Sequence, residues 1–373
     1  MAHKVLVTGG AGFVGSHLVD ALLRRGREVR VFDNVCPQVH PAGLPEYLSP
    51  EAEFVRGDMR DAEAVRAALR GVDAVFHLAA MVGVGQSMYE IANYMAANTL
   101  GTANLLQAVL ETRVELQKLV VASSMSIYGE GRYRCAQCGD AAPPPRPAEQ
   151  LRHRQWEMLC PECGERLTPA PTDEAKPLQC TSIYALSKKD QEEMVLLFGR
   201  TYRVPTVALR YFNIYGTRQA LSNPYTGVAA IFASRLLNGR APLIFEDGRQ
   251  MRDFVSVRDI VAANLLALDN PQADGWALNL GSGEPISIQA IATALARELG
   301  APPLAAEITG RYRAGDIRHC FADISKAKYV LGYKPQVRFT DGIRELVTWL
   351  RSQTADDHVA EAAQKLELYG LTA

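Results

Sequence analysis

The feature that most constrains the fold of this chain is a glycine-rich turn set between an apolar strand and an amphipathic helix at its start. Residues 3–8, His-Lys-Val-Leu-Val-Thr, read as a short buried strand. They run through Gly9-Gly10-Ala11-Gly12-Phe13-Val14-Gly15 into a helix from Ser16 to Arg25. Glycines at 9, 12 and 15 meet three needs: a tight turn, close approach of backbone to a pyrophosphate, and close helix–strand packing. The helix start then faces the anion with free N–H groups. A glycine fingerprint alone is weak evidence, but this one has the strand and helix that the motif requires. A second strand, Glu28–Phe32, ends at Asp33, where a carboxylate accepts hydrogen bonds from ribose hydroxyls and repels a 2′-phosphate. Asn34 and Val35 follow, with no arginine close behind, so NAD is expected over NADP.

The strand–helix rhythm continues. Glu53–Arg56 is a predicted strand, with Gly57-Asp58-Met59 placed to meet the adenine; a helix covers Asp61–Arg70. The strand Ala74–His77 opens into Leu78-Ala79-Ala80, a long helix runs from about Tyr89 to Thr112, and Lys118–Ala122 is a further strand. This predicts an α/β fold, a Rossmann-type doubly wound parallel sheet with its ligand at the carboxyl ends of the strands. The predicted division is a NAD-binding domain of 1–130, 177–210 and 253–280, an insertion at 131–176, and a smaller interleaved lobe of 211–252 and 281–373 that binds the substrate. A net charge of -1 excludes bulk nucleic-acid binding. No secretory leader or membrane-length apolar run is evident, so a cytoplasmic protein is expected. Ile343, Leu346, Val347, Trp349 and Leu350 fit a core-facing helix, and the tail from Asp356 to Leu371 a further amphipathic helix of no evident role.

Catalytic chemistry is signalled downstream. The strand around 118–122 ends Ala122-Ser123-Ser124-Met125-Ser126-Ile127-Tyr128-Gly129, and Tyr184-Ala185-Leu186-Ser187-Lys188 opens a helix reaching about Tyr202. Tyr184 and Lys188, four apart, share one helix face. The ammonium is expected to lower the phenol pKa, so that Tyr184 trades a proton with a hydroxyl near neutral pH while Ser124 bonds the same hydroxyl. A Tyr-x-x-x-Lys pair on its own is common. Combined with the glycine loop and Asp33 it is specific.

These pieces resemble an extended short-chain dehydrogenase/reductase of the sugar-nucleotide epimerase and dehydratase family. The likeness rests on Thr8 to Gly15, His77 to Ala80, Ser123 to Gly129 and Tyr184 to Lys188. It continues through Leu209 to Gly216, Arg252 to Val257 and Arg313 to Arg318, covering nearly all the chain apart from the insertion and tail. The resemblance implies catalytic roles for Ser124, Tyr184 and Lys188. Around NAD it implies Gly9, Gly12, Phe13, Val14, Gly15, Asp33, Asn34, Asp58, Met59, Leu78, Ala79, Ala80, Asn98, Tyr184, Lys188 and Phe212. For a nucleotide-diphospho-sugar it implies Ser124, Ser126 and Tyr184, with Asn213, Arg252 and Arg313 on the diphosphate, where forked guanidinium donors suit phosphate. Dehydratases of this family carry acidic residues directly after the serine; here Met125 and Ser126 stand there, so elimination lacks its proton donor. That leaves a 4-epimerase or a 4-keto-sugar reductase, and Asp33 favours the NAD-using epimerase. The resemblance also implies a homodimer, paired through helices flanking the active site.

Tyr184 lies 60 positions after Ser124, far beyond an ordinary connection. The excess carries Cys135-Ala136-Gln137-Cys138-Gly139 and Cys160-Pro161-Glu162-Cys163-Gly164, which read as two zinc knuckles of a closed, structural four-thiolate site. Pro143 to Pro147 suggests an extended arm between them. The ribbon is either a lid or oligomer contact, or a staple for a long loop. Its cysteines are similar to an insert of dTDP-L-rhamnose 4-epimerases, which implies dTDP-6-deoxy-L-talose as product; UDP-hexose 4-epimerization stays open. A non-enzymatic NAD-sensing or nucleic-acid-binding protein is disfavoured by the charge and by the intact Ser124, Tyr184 and Lys188.

Overall fold

A computed structural model describes residues 3–301, 306–313 and 315–372. Seven strands make one sheet: β1 (Lys4–Thr8), β2 (Glu28–Asp33), β3 (Glu53–Arg56), β4 (Ala74–His77), β5 (Lys118–Ser124), β6 (Thr206–Tyr211) and β7 (Ala277–Leu280). Their order is β7-β6-β5-β4-β1-β2-β3, and every pairing is parallel. All seven residues of β5 are buried, as a strand covered on both faces requires. Helices α1 (Phe13–Arg24) and α5 (Val257–Asp269) pack together on one face. The other carries α2 (Ala62–Ala68), α3 (Gly101–Thr112) and α4 (Ile183–Tyr202). Strand alternation divides the core accordingly. Val5, Val7 and Val120 join Leu18 and Ile260, whereas Leu6, Leu119 and Val121 join Leu105 and Val195. The Rossmann-type expectation holds, and the order reverses between β1 and β4, where such sheets open a crevice at the strand ends.

The long helix expected over Tyr89–Thr112 is broken. A wider π-type turn over Met95–Leu100 separates Ile91–Tyr94 from α3. Such turns re-aim one side chain, here Asn98, whose amide bonds both backbone groups of Met81 and the Ser187 hydroxyl.

Beyond the sheet, a third cluster packs Tyr215, Phe232, Leu236, Ile291 and Leu295 with Ile343, Leu346, Val347 and Leu350. Within the insertion, Arg132–Cys135 pairs antiparallel with both Gly139–Ala141 and Thr168–Ala170, over a small core of Tyr133, Met158 and Leu167. No helix among the described residues is long and apolar enough to cross a membrane.

One buried ion pair ties α4 to two strands of the sheet. Glu192 of α4 accepts from the Ser123 hydroxyl at 2.6 Å and from Arg210 of β6 at 2.6 and 3.0 Å. Arg210 also donates to the Tyr128 hydroxyl, which in turn donates to Asn279. Removing one member of such a pair strands the other charge out of water. Glu192→Ala is therefore expected to cost about 3–5 kcal/mol of unfolding free energy in urea titrations. A loss below ~1 kcal/mol would deny the pair this role.

Candidate active site

The glycine loop is shaped by two close approaches. Gly9 has φ of 70°, and a Cβ there would lie 2.8 Å from the Ala79 nitrogen; one on Gly15 would lie 2.2 Å from the Gly9 oxygen. Gly12 caps α1 with no side chain across the free N–H groups of Phe13, Val14 and Gly15, so the helix start is open to an anion. Asp33 accepts from Ala11 N at 3.1 Å and Val35 N at 2.9 Å, which binds the carboxylate to the loop. Asn34 donates to Asp58, and Asp58 is paired with Arg60 at 2.7 Å, whose guanidinium holds that carboxyl well below its ordinary range. Arg60 is a cation at this end of the crevice that a search directly after Asp33 misses, but Asp58 engages it. Met59 packs on Gly101, and Leu78, Ala79 and Ala80 line the rim half-buried. Asn98 spends its amide on Met81 and Ser187, so it shapes the crevice through the loop after β4. An anionic dinucleotide such as NAD fits this cradle.

A buried polar chain lies beneath, unforeseen in the sequence. His77 meets the Thr8 hydroxyl at 2.8 Å and the Thr102 hydroxyl at 2.9 Å, and Gln191 also reaches Thr102. Burial, aided by the charge of Lys188, pulls the His77 pKa down to about 3, so the ring is neutral. It joins β1, β4, α3 and α4.

The catalytic candidates converge where β5 ends and α4 begins. Ser182 caps α4 by accepting from Ala185 N, and Tyr184 N donates to the Ser87 hydroxyl. Tyr184 is buried, with the Ser124 hydroxyl near enough to its phenol to favour the phenolate. Lys188 donates to the Ala122 carbonyl at 2.8 Å. The Ser124 and Ser126 hydroxyls lie 3.1 Å apart, so Ser126 can take or give the proton that Ser124 shares. The electrostatics correct one expectation. Burial raises the Tyr184 phenol, and the opposing influence is the Ser124 hydroxyl, not Lys188. Burial draws Lys188 itself down to about 7. Both charged forms lose hydration in this cavity, so burial outweighs the helix-face proximity of the two groups.

Alongside, Phe212 is buried against Tyr128, and the Asn213 Oδ1 is buried with no partner among the described residues, as an atom awaiting a ligand donor. Arg252 donates to the carbonyls of Met251, Ile317 and Arg318 and pairs with no carboxylate among the described residues, which leaves its charge uncompensated. Arg313 lies over the Phe245 ring with its Nε 3.0 Å from Asp316; Ala314 of the same motif falls outside the described residues. The tail crosses this rim. Tyr369 stacks on Tyr89 at 4.9 Å, Tyr89 bonds Tyr225, Glu367 pairs with Arg311, and Thr372 bridges to Arg313.

A second cluster lies in the insertion. The sulfurs of Cys135, Cys138, Cys160 and Cys163 are all within 4.8 Å of one another, and all four thiols are free. A tetrahedral cation with bonds of about 2.3 Å spaces its sulfurs about 3.8 Å apart, so the set suits one. Gly139 and Gly164, with φ of 84° and 77°, let the chain turn after each pair.

Residues 5–150 match the model of the NAD dependent epimerase/dehydratase family, and residues 164–346 that of GDP-mannose 4,6 dehydratase. A dTDP-L-rhamnose 4-epimerase of Burkholderia thailandensis is 34% identical, over 94% of this chain and 95% of that one. The chain belongs to the NAD-dependent epimerase/dehydratase family. A putative UDP-glucose 4-epimerase of Methanocaldococcus jannaschii is 33% identical, over 93% of this chain and 98% of the relative. The solved UDP-glucose 4-epimerase of Thermus thermophilus, in complex with NAD, aligns with a TM-score of 0.74 at 33% identity, over 94% of this chain and 100% of that one. As a member of the epimerase/dehydratase family this is an NAD-dependent enzyme, as the glycine loop and the Tyr-x-x-x-Lys helix led us to expect.

Two side chains after Ser124 bear on which branch of the epimerase/dehydratase chemistry is possible. Met125 turns into the core, and Ser126 faces Ser124. Neither carries an acidic proton. Since a hydroxyl donated to the phenolate favours the charged form, losing it raises the Tyr184 pKa. Ser124→Ala is expected to move the alkaline-rising limb of kcat/KM to higher pH; an unmoved limb would show that Ser124 does not tune the phenol.

Proposed function

We propose that this chain is an NAD-dependent nucleotide-sugar 4-epimerase that converts dTDP-L-rhamnose to dTDP-6-deoxy-L-talose. The observation that carries the reading is the approach of Ser124 to Tyr184, with Met125 and Ser126 instead of an acid directly after Ser124. Such a site suits reversible oxidation and reduction at one carbon and lacks the proton donor that elimination of water needs. Bound NAD supplies the hydride acceptor and donor, with a cationic ring that favours a nearby phenolate. Tyr184 takes the C4 hydroxyl proton, and Ser124 orients that hydroxyl. Lys188 holds the nicotinamide ribose. Once oxidised, the sugar turns about its diphosphate link and is reduced on its other face. Tyr184 then returns the proton. Arg252, Arg313 and Asn213 hold the nucleotide diphosphate through this turn, and Phe212 closes the nicotinamide side.

The Burkholderia relative favours dTDP-L-rhamnose. UDP-hexose 4-epimerization is the second reading, favoured by the Methanocaldococcus and Thermus relatives. We place NAD on 1–130, 177–210 and 253–280, and the sugar nucleotide against 211–252 and 281–373. The four cysteines are proposed to hold a structural zinc, which suits free thiols in a reducing cytoplasm. Leu186 and Leu197, exposed along α4, support pairing of two copies through the helix that bears Tyr184.

Purified enzyme incubated with dTDP-L-rhamnose, UDP-glucose or UDP-galactose, with no added cofactor, tests the activity. Nuclear magnetic resonance should find the C4 epimer of one substrate with no net change in NADH absorbance. Tyr184→Phe should lower turnover about 10²–10⁴-fold while NAD stays bound. Net NADH consumption would instead identify a reductase. Metal analysis should find zinc; its absence, with four freely titratable thiols, would remove that claim.

A further inference from the structure

The insertion grips the segment that carries Arg313, and it does so through buried charge. Arg146, from the arm between the two cysteine pairs, has a side chain only 3% exposed. It donates to the Asp316 carbonyl at 3.0 Å, to Glu246 at 2.7 Å and to the Trp156 carbonyl at 2.9 Å. Asp316 in turn holds Arg313 through its carboxylate. Glu157 of the insertion takes Arg318 at 2.6 Å and His319 at 3.1 Å. Arg318, fully buried, also reaches Glu246 and Asp247. At the insertion's root, Glu130 accepts from the backbone nitrogens of Arg318 and His319.

The gripped segment has little regular structure of its own. Among the described residues its strand-type pairing is His319–Cys320 beside Met251–Arg252 and a bridge from Arg313 to Thr372, with the Arg311 and His319 carbonyls taken by the backbone nitrogens of Glu246 and Gly131. Ordering a free backbone costs conformational entropy, so a cation carried on such a segment binds weakly unless something else fixes it. Arg252 is already fastened to the carbonyls of Ile317 and Arg318. A diphosphate held between Arg252 and Arg313 needs both guanidinium groups at a set separation.

We propose that the four-cysteine insertion is a positioning element for the diphosphate clamp, with Arg146 as its positioning residue. The metal-held ribbon fixes the arm, the arm's Arg146 fixes the Asp316 backbone, and the Asp316 side chain fixes Arg313. Nucleotide-sugar affinity is thereby made dependent on the ribbon's metal, although no cysteine lies among the candidate catalytic groups. The inference rests on the reading of Arg313 as a diphosphate ligand.

The test uses the full-length enzyme with its zinc and NAD, and measures dTDP and UDP binding by calorimetry beside KM and kcat. Arg146→Ala is expected to weaken diphosphate binding and raise KM at least tenfold, with kcat and bound NAD within threefold of the parent. Arg146→Lys, which keeps one donor for the Asp316 carbonyl, should recover part of the loss. Stripping the metal with a chelator should reproduce the Arg146→Ala effect. A purely structural role predicts otherwise: lower thermal stability and lower NAD content, with unchanged KM in the surviving enzyme. That result overturns the proposal. Arg313→Ala separates the layers. If it weakens dTDP or UDP binding and Arg146→Ala does not, the positioning role alone fails. If Arg313→Ala changes nothing, the diphosphate reading falls and takes the proposal with it.

Discussion

The arrangement of the active site depends on the buried contact of Glu192 with Arg210 and Ser123. Glu192 lies one helical turn past Lys188 and two past Tyr184, on the same face of α4. Ser123 is the neighbour of Ser124, and Arg210 is two residues before Phe212. One carboxylate therefore sets the helix bearing Tyr184 and Lys188 against the strand that ends at Ser124 and the strand that leads to Phe212. Such a group gains little net stability over an apolar equivalent. Its value is directional, because forked bonds hold α4 at one height along the sheet.

Burial also governs the charges the enzyme works with. The phenol of Tyr184 is raised, the Lys188 ammonium is drawn down to about 7, and His77 is kept neutral. Without another cation nearby the site favours uncharged groups. A dinucleotide with a cationic ring, bound beside Tyr184, would add a charge that favours the phenolate. The glycine loop that admits the dinucleotide and the helix that carries Tyr184 are coupled by electrostatics as well as by the chain from Thr8 through His77 to Gln191.

Much of this was legible from spacing. The loop at Gly9 to Gly15, the four-residue interval from Tyr184 to Lys188, and the paired cysteines are short-range patterns whose geometry follows from turn and helix periodicity. The Glu192 contact left a signal too. Tyr184, Lys188 and Glu192 recur every fourth residue, and an arginine in the apolar run Thr206–Tyr211 calls for a buried acid. Other features left none. The π-type turn that aims Asn98 at Met81 sits in a stretch with ordinary helical periodicity. The destination of Met125 depends on how the chain leaves β5. Arg146 meets Asp316 across 170 positions, between two segments without regular structure.

Short-range patterns were enough for the doubly wound dinucleotide fold, for the candidates Ser124, Tyr184 and Lys188, and for a four-cysteine cluster in an insertion, because each follows from residues close together in the chain. Only the tertiary structure decided what those residues do to one another. It set burial above helix-face proximity in the electrostatics of Tyr184 and Lys188, turned Met125 into the core, laid the tail across the rim, and docked the insertion on the Arg313 segment. Desolvation and long-range pairing arise from packing between distant segments, and spacing along a chain carries no measure of either.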